Sequence, residues 1–219
     1  GTMASSLTMD KEKTKQIWES ANLPVVPYIC ARKFEAETEQ GLSTLEEKSK
    51  NQFGYPVFVK PCCAGSSVGA SKATNKEEFE ESVKEAFSWD DKILIEPFVK
   101  AREIECSVIG NEKQISFIPC EILPTHEFYD YEAKYKDPDG ASFSIPANLN
   151  EEQIAQVKSI AEKAYKVLDA SGLSRVDFFI DKDNGNLMLN EINTMPGFTP
   201  ISMFPQMCNA GGLKYADLI

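Results

Sequence analysis

Two acidic residues, an arginine and an asparagine stand at matching positions on either side of a predicted turn at residues 183–186. Two strands paired about this turn place Asp177 opposite Glu191 and Arg175 opposite Asn193. Since residues two apart in a strand point to the same face, all four side chains share one side of the hairpin. Carboxylate and amide oxygens are ligands that Mg²⁺ prefers, so this face is a candidate magnesium site. The alternative is a solvated face on which Arg175 neutralises both acids.

A lysine followed by small residues forms a second candidate site. Residues 57–60 predict a buried strand that ends at Lys60, and a glycine-rich loop (residues 61–69) follows, ending in Gly65-Ser66-Ser67-Val68-Gly69. Such a loop lets backbone N–H groups approach a phosphate, and the lysine adds positive charge. The GxxxxGK(S/T) pattern of a Walker A motif does not occur, and an ordinary turn is the alternative.

Aromatic and basic residues are dense through residues 128–136, which include Phe128, Lys134 and Tyr135. An irregular stretch of this composition is typical of a lid that closes over a nucleotide. The alternative is a surface loop with solvated lysines.

The elements that carry these residues are predicted from capping signals and hydrophobic periodicity. Helices are predicted to begin at Asp10, Asn75 and Asn150, because each is a favoured N-cap residue before a helical pattern. Strands are predicted over residues 57–60, 92–96, 103–109, 115–118, 175–180 and 187–192. This order predicts an α+β fold with mostly antiparallel strands, in two lobes that comprise residues 1–98 and 99–219.

Composition excludes several classes of protein. The 219 residues carry 23 Lys and Arg against 34 Asp and Glu, a formal net charge of −11. This charge argues against binding to nucleic acid or to an anionic membrane, both of which attract basic surfaces. The chain has no apolar run near the ~20 residues that cross a bilayer and no signal-peptide pattern, so we expect a soluble, cytoplasmic protein.

The six cysteines do not form a recognisable metal or redox motif. They show no CxxC pair and no zinc-like spacing with the single histidine, His126. We therefore expect reduced and mostly buried thiols.

The ordered set of motifs resembles the ATP-grasp ligases and, within them, the D-alanine–D-alanine ligase family. The matching segments are Leu7-Thr8-Met9-Asp10-Lys11, Val59-Lys60-Pro61, residues 65–69, 96–103 and 128–135, Arg175-Val176-Asp177, and residues 190–199. Each segment alone is a modest signal, but their order along almost the whole chain is specific. The resemblance implies an ATP-grasp fold in which two lobes clasp the nucleotide.

The resemblance also implies a role for each matching residue. ATP phosphates would be held by Lys11, Lys60 and Lys134, the adenine by Glu96, Pro97, Phe98, Val99 and Phe128, and the ribose by Glu103, with Ser67 and Asn190 completing the nucleotide site. Mg²⁺ would be bound by Asp177, Glu191 and Asn193, with two ions expected and Mn²⁺ as a substitute. Arg175 and the N–H of Gly197 would stabilise an oxyanion. The carboxylate of the second substrate would be seated by Ser202 and Met203, and Ser66 and Tyr135 would meet when the loops close.

The implied activity is the ATP-dependent joining of two D-alanines through an acyl phosphate, for peptidoglycan precursor synthesis, with water kept out by the lid. The resemblance begins at the family's central domain, so we expect the N-terminal domain to be missing and this chain alone to bind ATP but to ligate poorly. The full-length enzyme is expected to be a homodimer and this chain a monomer. The alternatives are a D-alanine–D-serine ligase and a non-catalytic nucleotide-binding module.

Overall fold

The structure is a computed structural model that describes residues 1–124, 141–200 and 202–219. Its α-helices are Thr2–Met9 (α1), Lys11–Ser20 (α2), Glu39–Phe53 (α3), Lys76–Trp89 (α4), Glu151–Val167 (α5), Met203–Ala210 (α6) and Tyr215–Leu218 (α7), with a 3₁₀ turn at Lys33–Ala36. Its strands are Ile29–Arg32 (β1), Val57–Pro61 (β2), Ser71–Ala73 (β3), Lys92–Pro97 (β4), Ala101–Gly110 (β5), Ile115–Ser116 (β6), Cys120–Pro124 (β7), Ala141–Ser144 (β8), Gly172–Asp181 (β9) and Leu187–Asn193 (β10). Within these ranges, no helix is both long and apolar enough to cross a membrane.

The strands of the described residues form two sheets. The smaller sheet has the order β1-β4-β2-β3, and the larger has the order β10-β9-β5-β7-β8, with β6 paired to β5. All pairings between these strands are antiparallel. The predicted α+β class with mostly antiparallel strands is therefore confirmed.

Helices α3 and α4 pack on the smaller sheet. Thr38 caps α3 by accepting from the N–H of Gly41, and Asn75 caps α4 by accepting from the N–H of Glu78. The shared core includes Ile29, Leu42, Leu45, Val57, Val59, Phe79, Val83, Ile93 and Ile95. This core fixes strands β2 and β4, which carry Lys60 and Glu96.

Helix α5 packs on the larger sheet, and it does so together with α1 and α2. Asn150 opens α5 with a capping box, in which its side chain and that of Gln153 each accept the other's backbone N–H. The core of this sheet includes Ala4, Trp18, Leu23, Ile104, Val157, Tyr165, Val176, Phe178 and Leu189. Residues of the predicted first lobe therefore contribute to the cores of both sheets. The lobe boundary near residue 98 stays a prediction.

Residues 24–26 run along β10 and attach α2 to the larger sheet. Val25 forms a parallel bridge with Leu189. The N–H of Leu189 donates to the carbonyl oxygen of Pro24 at 2.8 Å, and the N–H of Val26 donates to that of Leu189 at 3.2 Å. The start of α2 also contacts the residue that follows β2 of the smaller sheet, since the N–H of Lys11 donates to the carbonyl oxygen of Cys62 at 3.1 Å.

Candidate functional site

A cleft of about 690 Å³ is lined by residues of both sheets. Eleven residues predicted for the site lie on its wall: Lys11, Lys60, Ser66, Ser67, Glu96, Pro97, Phe98, Val99, Glu103, Asn190 and Glu191. The predicted residues Phe128, Lys134 and Tyr135 lie outside the described residues. The cleft thus brings together the predicted nucleotide-binding residues that can be located.

Glu96 lies between two lysines at the base of this cleft. It is 2% exposed, and its two carboxylate oxygens lie 2.8 Å from Nζ of Lys15 and 2.7 Å from Nζ of Lys60. Burial alone would raise the pKa of Glu96, but the two ammonium groups outweigh it and hold the pKa below its usual range. Nζ of Lys60 also donates to Oδ1 of Asn190 at 3.2 Å, which links β2 to β10.

Lys15 was not predicted from the sequence as part of the site. Burial lowers its pKa to about 8, against the opposing effect of Glu96. One signal was available, because Lys11, Lys15 and Trp18 are spaced by four and three residues and so share one face of α2. The reason that a charged group lies on this face is its partner Glu96 on β4, which the sequence does not reveal.

The glycine-rich loop is attached to its surroundings near both ends. Nζ of Lys11 donates to the carbonyl oxygen of Ala64 at 2.6 Å. A Cβ at Gly69, where φ is +67°, would lie 2.5 Å from the indole of Trp89. Between these points, Ser66 and Ser67 have φ values of 53° and 59°, in the left-handed region that side chains disfavour. A strained loop held at both ends presents its backbone to the cleft in a defined conformation.

The hairpin β9–β10 has the predicted register. Asp177 pairs with Glu191, and Arg175 pairs with Asn193. The register shifts by one residue between Leu189 and Glu191, at Asn190. Extra residues of this kind redirect side chains, and Asn190 and Glu191 accordingly both line the cleft although they are adjacent in sequence.

Arg175 forms a two-pronged contact with Asp177, with both distances at 2.7 Å. Its Nε also lies 3.3 Å from Oε2 of Glu105, which the register places opposite Asp177 on β5. Burial would lower the pKa of Arg175, but Asp177 and Glu105 raise it well above its ordinary value. The alternative interpretation of this face is therefore partly right, since Arg175 does pair with an acid, but that acid, Asp177, is only 9% exposed.

The donors on this face suit a hard cation. The amide nitrogen of Asn193 donates to Oδ2 of Asp177 at 3.0 Å, so the two side chains are in direct contact. Among the described residues, no three His, Cys, Asp or Glu side chains cluster to hold a metal ion, so the predicted set depends on the amide as its third member. Two carboxylates and an amide are the oxygen donors that Mg²⁺ accepts.

The start of α6 brings three further predicted residues together. Oγ of Ser202 accepts from the N–H of Thr199 at 3.1 Å, and a Cβ on Gly197 would lie 3.1 Å from this oxygen. Met203 is the first residue of α6, and N–H groups in a first helical turn lack partners within the helix and favour an anion. None of these residues lines the cleft that contains the predicted nucleotide-binding residues.

Comparisons with known proteins agree with this architecture. Residues 17–219 match the family described as D-ala D-ala ligase C-terminus. A D-alanine--D-alanine ligase of Treponema denticola is 54% identical over 217 residues, which are 99% of this chain and 59% of that relative. A solved D-alanyl-alanine synthetase A from Vibrio cholerae is 32% identical with a TM-score of 0.87, over 100% of this chain and 65% of that one. The solved VanG D-Ala:D-Ser ligase from Enterococcus faecalis is 32% identical with a TM-score of 0.85, over 99% and 61%.

The chain spans about three fifths of the length of the curated relatives that it matches. The match nevertheless covers both sheets, the glycine-rich loop and the β9–β10 hairpin. On these grounds the chain belongs to the D-ala D-ala ligase C-terminus family.

Proposed function

We propose that this chain is the nucleotide-binding part of an ATP-dependent ligase that joins two D-alanines into D-alanyl-D-alanine for peptidoglycan precursor synthesis. The observation that carries this proposal is the cleft itself, in which Lys11, Lys60, the glycine-rich loop and Glu191 face a common space. A triphosphate needs several cations and backbone donors around it, and this wall provides both. Lys134 is proposed as a further cation, and Phe128 as a ring that packs on the adenine.

The base and ribose would occupy the other end of the cleft. The backbone of residues 96–99 would read the adenine, with Glu96 beside it, and Glu103 on β5 would accept from the ribose hydroxyls. Phe98 supplies an apolar surface, and Nζ of Lys72 lies 4.2 Å from the centre of its ring. Ser67 and Asn190 would complete the contacts to the nucleotide.

Asp177, Glu191 and Asn193 would hold Mg²⁺, or Mn²⁺ in its place, with two ions expected. A divalent cation bound there would offset the negative charge of the phosphates. Arg175 contacts Asp177 at 2.7 Å, so its guanidinium is held beside one of the proposed metal ligands. Such a fork is suited to an oxyanion, and Arg175 and the N–H of Gly197 would stabilise the charge that develops on the acyl carbon's oxygen.

The second substrate would bind at the start of α6. Ser202 and the N–H of Met203 would seat its carboxylate, because a helix N-terminus favours an anion. Ser66 and Tyr135 would meet as the loops close and exclude water, which at ~55 M would otherwise compete with the attacking amine. The similarity to a D-Ala:D-Ser ligase makes D-serine the second candidate for this position.

Calorimetry with Mg-ATP on the 219-residue chain tests the proposal. We expect binding that requires the divalent cation and is weakened by Lys60→Met and by Lys134→Ala, whereas Lys163→Met on the exposed side of α5 serves as a matched control. Absence of binding would favour a non-catalytic module with another role.

An assay of ADP release with D-alanine or D-serine tests the reaction. We expect little turnover from the 219-residue chain alone, which we also expect to be a monomer. We expect full activity from a longer protein, one that also carries the family's N-terminal domain, and we expect that protein to be a cytoplasmic homodimer. Turnover by the chain alone that matches the longer protein would contradict the first part, and preference for D-serine would replace the proposed substrate.

A further inference from the structure

Lys15 is a fully buried lysine that has no role in the proposed function. It lies on α2, one turn after Lys11, and 0% of its surface is exposed. Its Nζ lies 2.8 Å from Oε1 of Glu96 and donates to the carbonyl oxygen of Val26 at 2.9 Å. A buried ammonium is unfavourable unless it is paired, so its presence points to the anion that it accompanies.

Glu96 has one lysine on each side. Its Oε2 lies 2.7 Å from Nζ of Lys60, which borders the cleft. Its Oε1 has, within the described part of the chain, no hydrogen-bond partner besides Lys15. Two cations and one anion leave a single net positive charge, and this charge faces the cleft through Lys60.

A phosphate in the cleft would compete with Glu96 for Lys60. With Lys15 in place, Glu96 keeps a counter-charge when Lys60 moves toward the phosphate. Without Lys15, Lys60 would be the remaining cation in contact with the carboxylate among the described residues. Its movement would then leave a buried charge unpaired, which is strongly unfavourable.

We propose that Lys15 is a positioning residue for Lys60, because it neutralises the buried side of Glu96 and so leaves the Lys60 ammonium available to the phosphates of a nucleotide. Lys15 does not line the cleft, so its effect passes through Glu96. The inference rests on the proposed function, since it concerns how the same site binds ATP.

The test compares the dissociation constants of ATP and adenosine for variants of the 219-residue chain, measured by calorimetry, with competition against ATP for the weaker ligand. Adenosine lacks phosphates, so the dissociation constant of adenosine divided by that of ATP is a ratio that isolates the contribution of the phosphates. We expect Lys15→Met to reduce this ratio on the order of tenfold, the size of effect that one charge contact has. Lys13→Met, on the exposed side of the same helix, is the matched control and should leave the ratio unchanged.

A second variant separates positioning from folding. In Lys15→Met with Glu96→Gln, the buried anion and its counter-charge are both removed, so the cluster regains a single net positive charge. We expect this double variant to restore the ratio toward the wild-type value, even if Glu96→Gln changes the affinity for adenosine itself. A merely structural role of Lys15 would not produce this recovery.

Each result decides a separate point. If the wild-type chain does not bind ATP, the proposed function fails. If it does bind ATP and Lys15→Met keeps the wild-type ratio, or if the double variant is no better than Lys15→Met, the inference is overturned. If Lys15→Met does not fold, Glu96→Gln decides, because removal of the anion that competes for Lys60 should raise the ratio above the wild-type value, and an unchanged or lower ratio overturns the inference.

Discussion

Arg175 connects carboxylates from two neighbouring strands. It contacts Asp177 on its own strand through both Nε and a terminal nitrogen, and Glu105 on β5 through Nε. Both acids are less than one tenth exposed. A guanidinium fork satisfies such a pair of acids in a way that a lysine does not, because it presents several donors in one plane. Arg175 therefore contributes to the stability of the sheet as well as to the proposed chemistry.

Arg175→Met should lower the free energy of unfolding by roughly 3 kcal/mol, because it removes a buried guanidinium that pairs with two buried acids. Urea denaturation followed by circular dichroism measures this loss. The control is Lys76→Met, which removes the exposed pair that Lys76 forms with Glu80 at 4.0 Å, a change expected to cost under about 0.5 kcal/mol. Equal losses in the two variants would show that burial of the Arg175 pairs is unimportant.

At the scale of elements, the glycine-rich loop has no room for a side chain at one of its glycines, Gly69, but has room for one at another, Gly65. At Gly69 a side chain would meet the backbone restriction of positive φ and also contact Trp89 and Pro61 within 3.0 Å. At Gly65 no atom lies within 4 Å of an added Cβ. The two positions are four residues apart in one loop, so they form a matched pair.

Gly69→Ala should lower the free energy of unfolding by about 1–3 kcal/mol, the combined cost of a left-handed residue and overpacking. Gly65→Ala should change it by less than about 0.5 kcal/mol. Urea denaturation of both variants checks the difference, and Gly65→Ala being the more harmful would contradict the packing described for this loop.

The elements could be predicted from the sequence where local signals determine them. Asn75 and Asn150 cap helices as expected, and a turn near residue 184 was enough to pair Asp177 with Glu191. Helix α1 was not predicted, because its residues carry no N-cap signal and little amphipathic pattern. The packing of Trp18 on Ala164 was also missed, since it joins residues that are 146 positions apart.

The site was predicted in the same uneven way. Eleven of the residues that line the cleft were predicted, most of them from the resemblance to a known family, whereas Lys15 and Glu105 were not predicted. Both of these are charged residues inside elements, and their significance depends on a partner from another strand. The register shift at Asn190 was also missed, because a single extra residue in a strand leaves no pattern in the sequence.

At the scale of the whole molecule, buried thiols should lower the free energy of unfolding at alkaline pH. All six cysteines are free. Burial raises the pKa of Cys106 and Cys120 to about 12 and that of Cys208 to about 11, from 9.0. Above pH 9 the unfolded chain releases these protons and the folded chain keeps them, so the free energy of unfolding falls as pH rises. Lys15 has the opposite effect, because its pKa in the folded chain is only about 8. Above pH 8 the folded chain has released this proton while the unfolded chain still holds it, so the contribution of Lys15 to the free energy of unfolding rises with pH.

Between pH 8 and pH 10 we expect a net fall in the free energy of unfolding, because the thiols with raised pKa outnumber the one opposing lysine. Urea denaturation in reducing buffer at several pH values measures it. In Cys106→Ala one of the titrating thiols is gone, and the decline with pH should be smaller than in the wild type. A free energy of unfolding that rises over this range would contradict the account.

The two tryptophans of the chain lie in contrasting surroundings. Trp18 is 0% exposed in the core of the larger sheet and donates its indole N–H to Ala164, whereas Trp89 is 60% exposed beside Gly69. We therefore expect intrinsic fluorescence to contain two separable signals, a blue-shifted one from Trp18 and a red-shifted one from Trp89. With either ring replaced by phenylalanine, the emission of the other reports on a single region of the molecule, and no dye has to be attached.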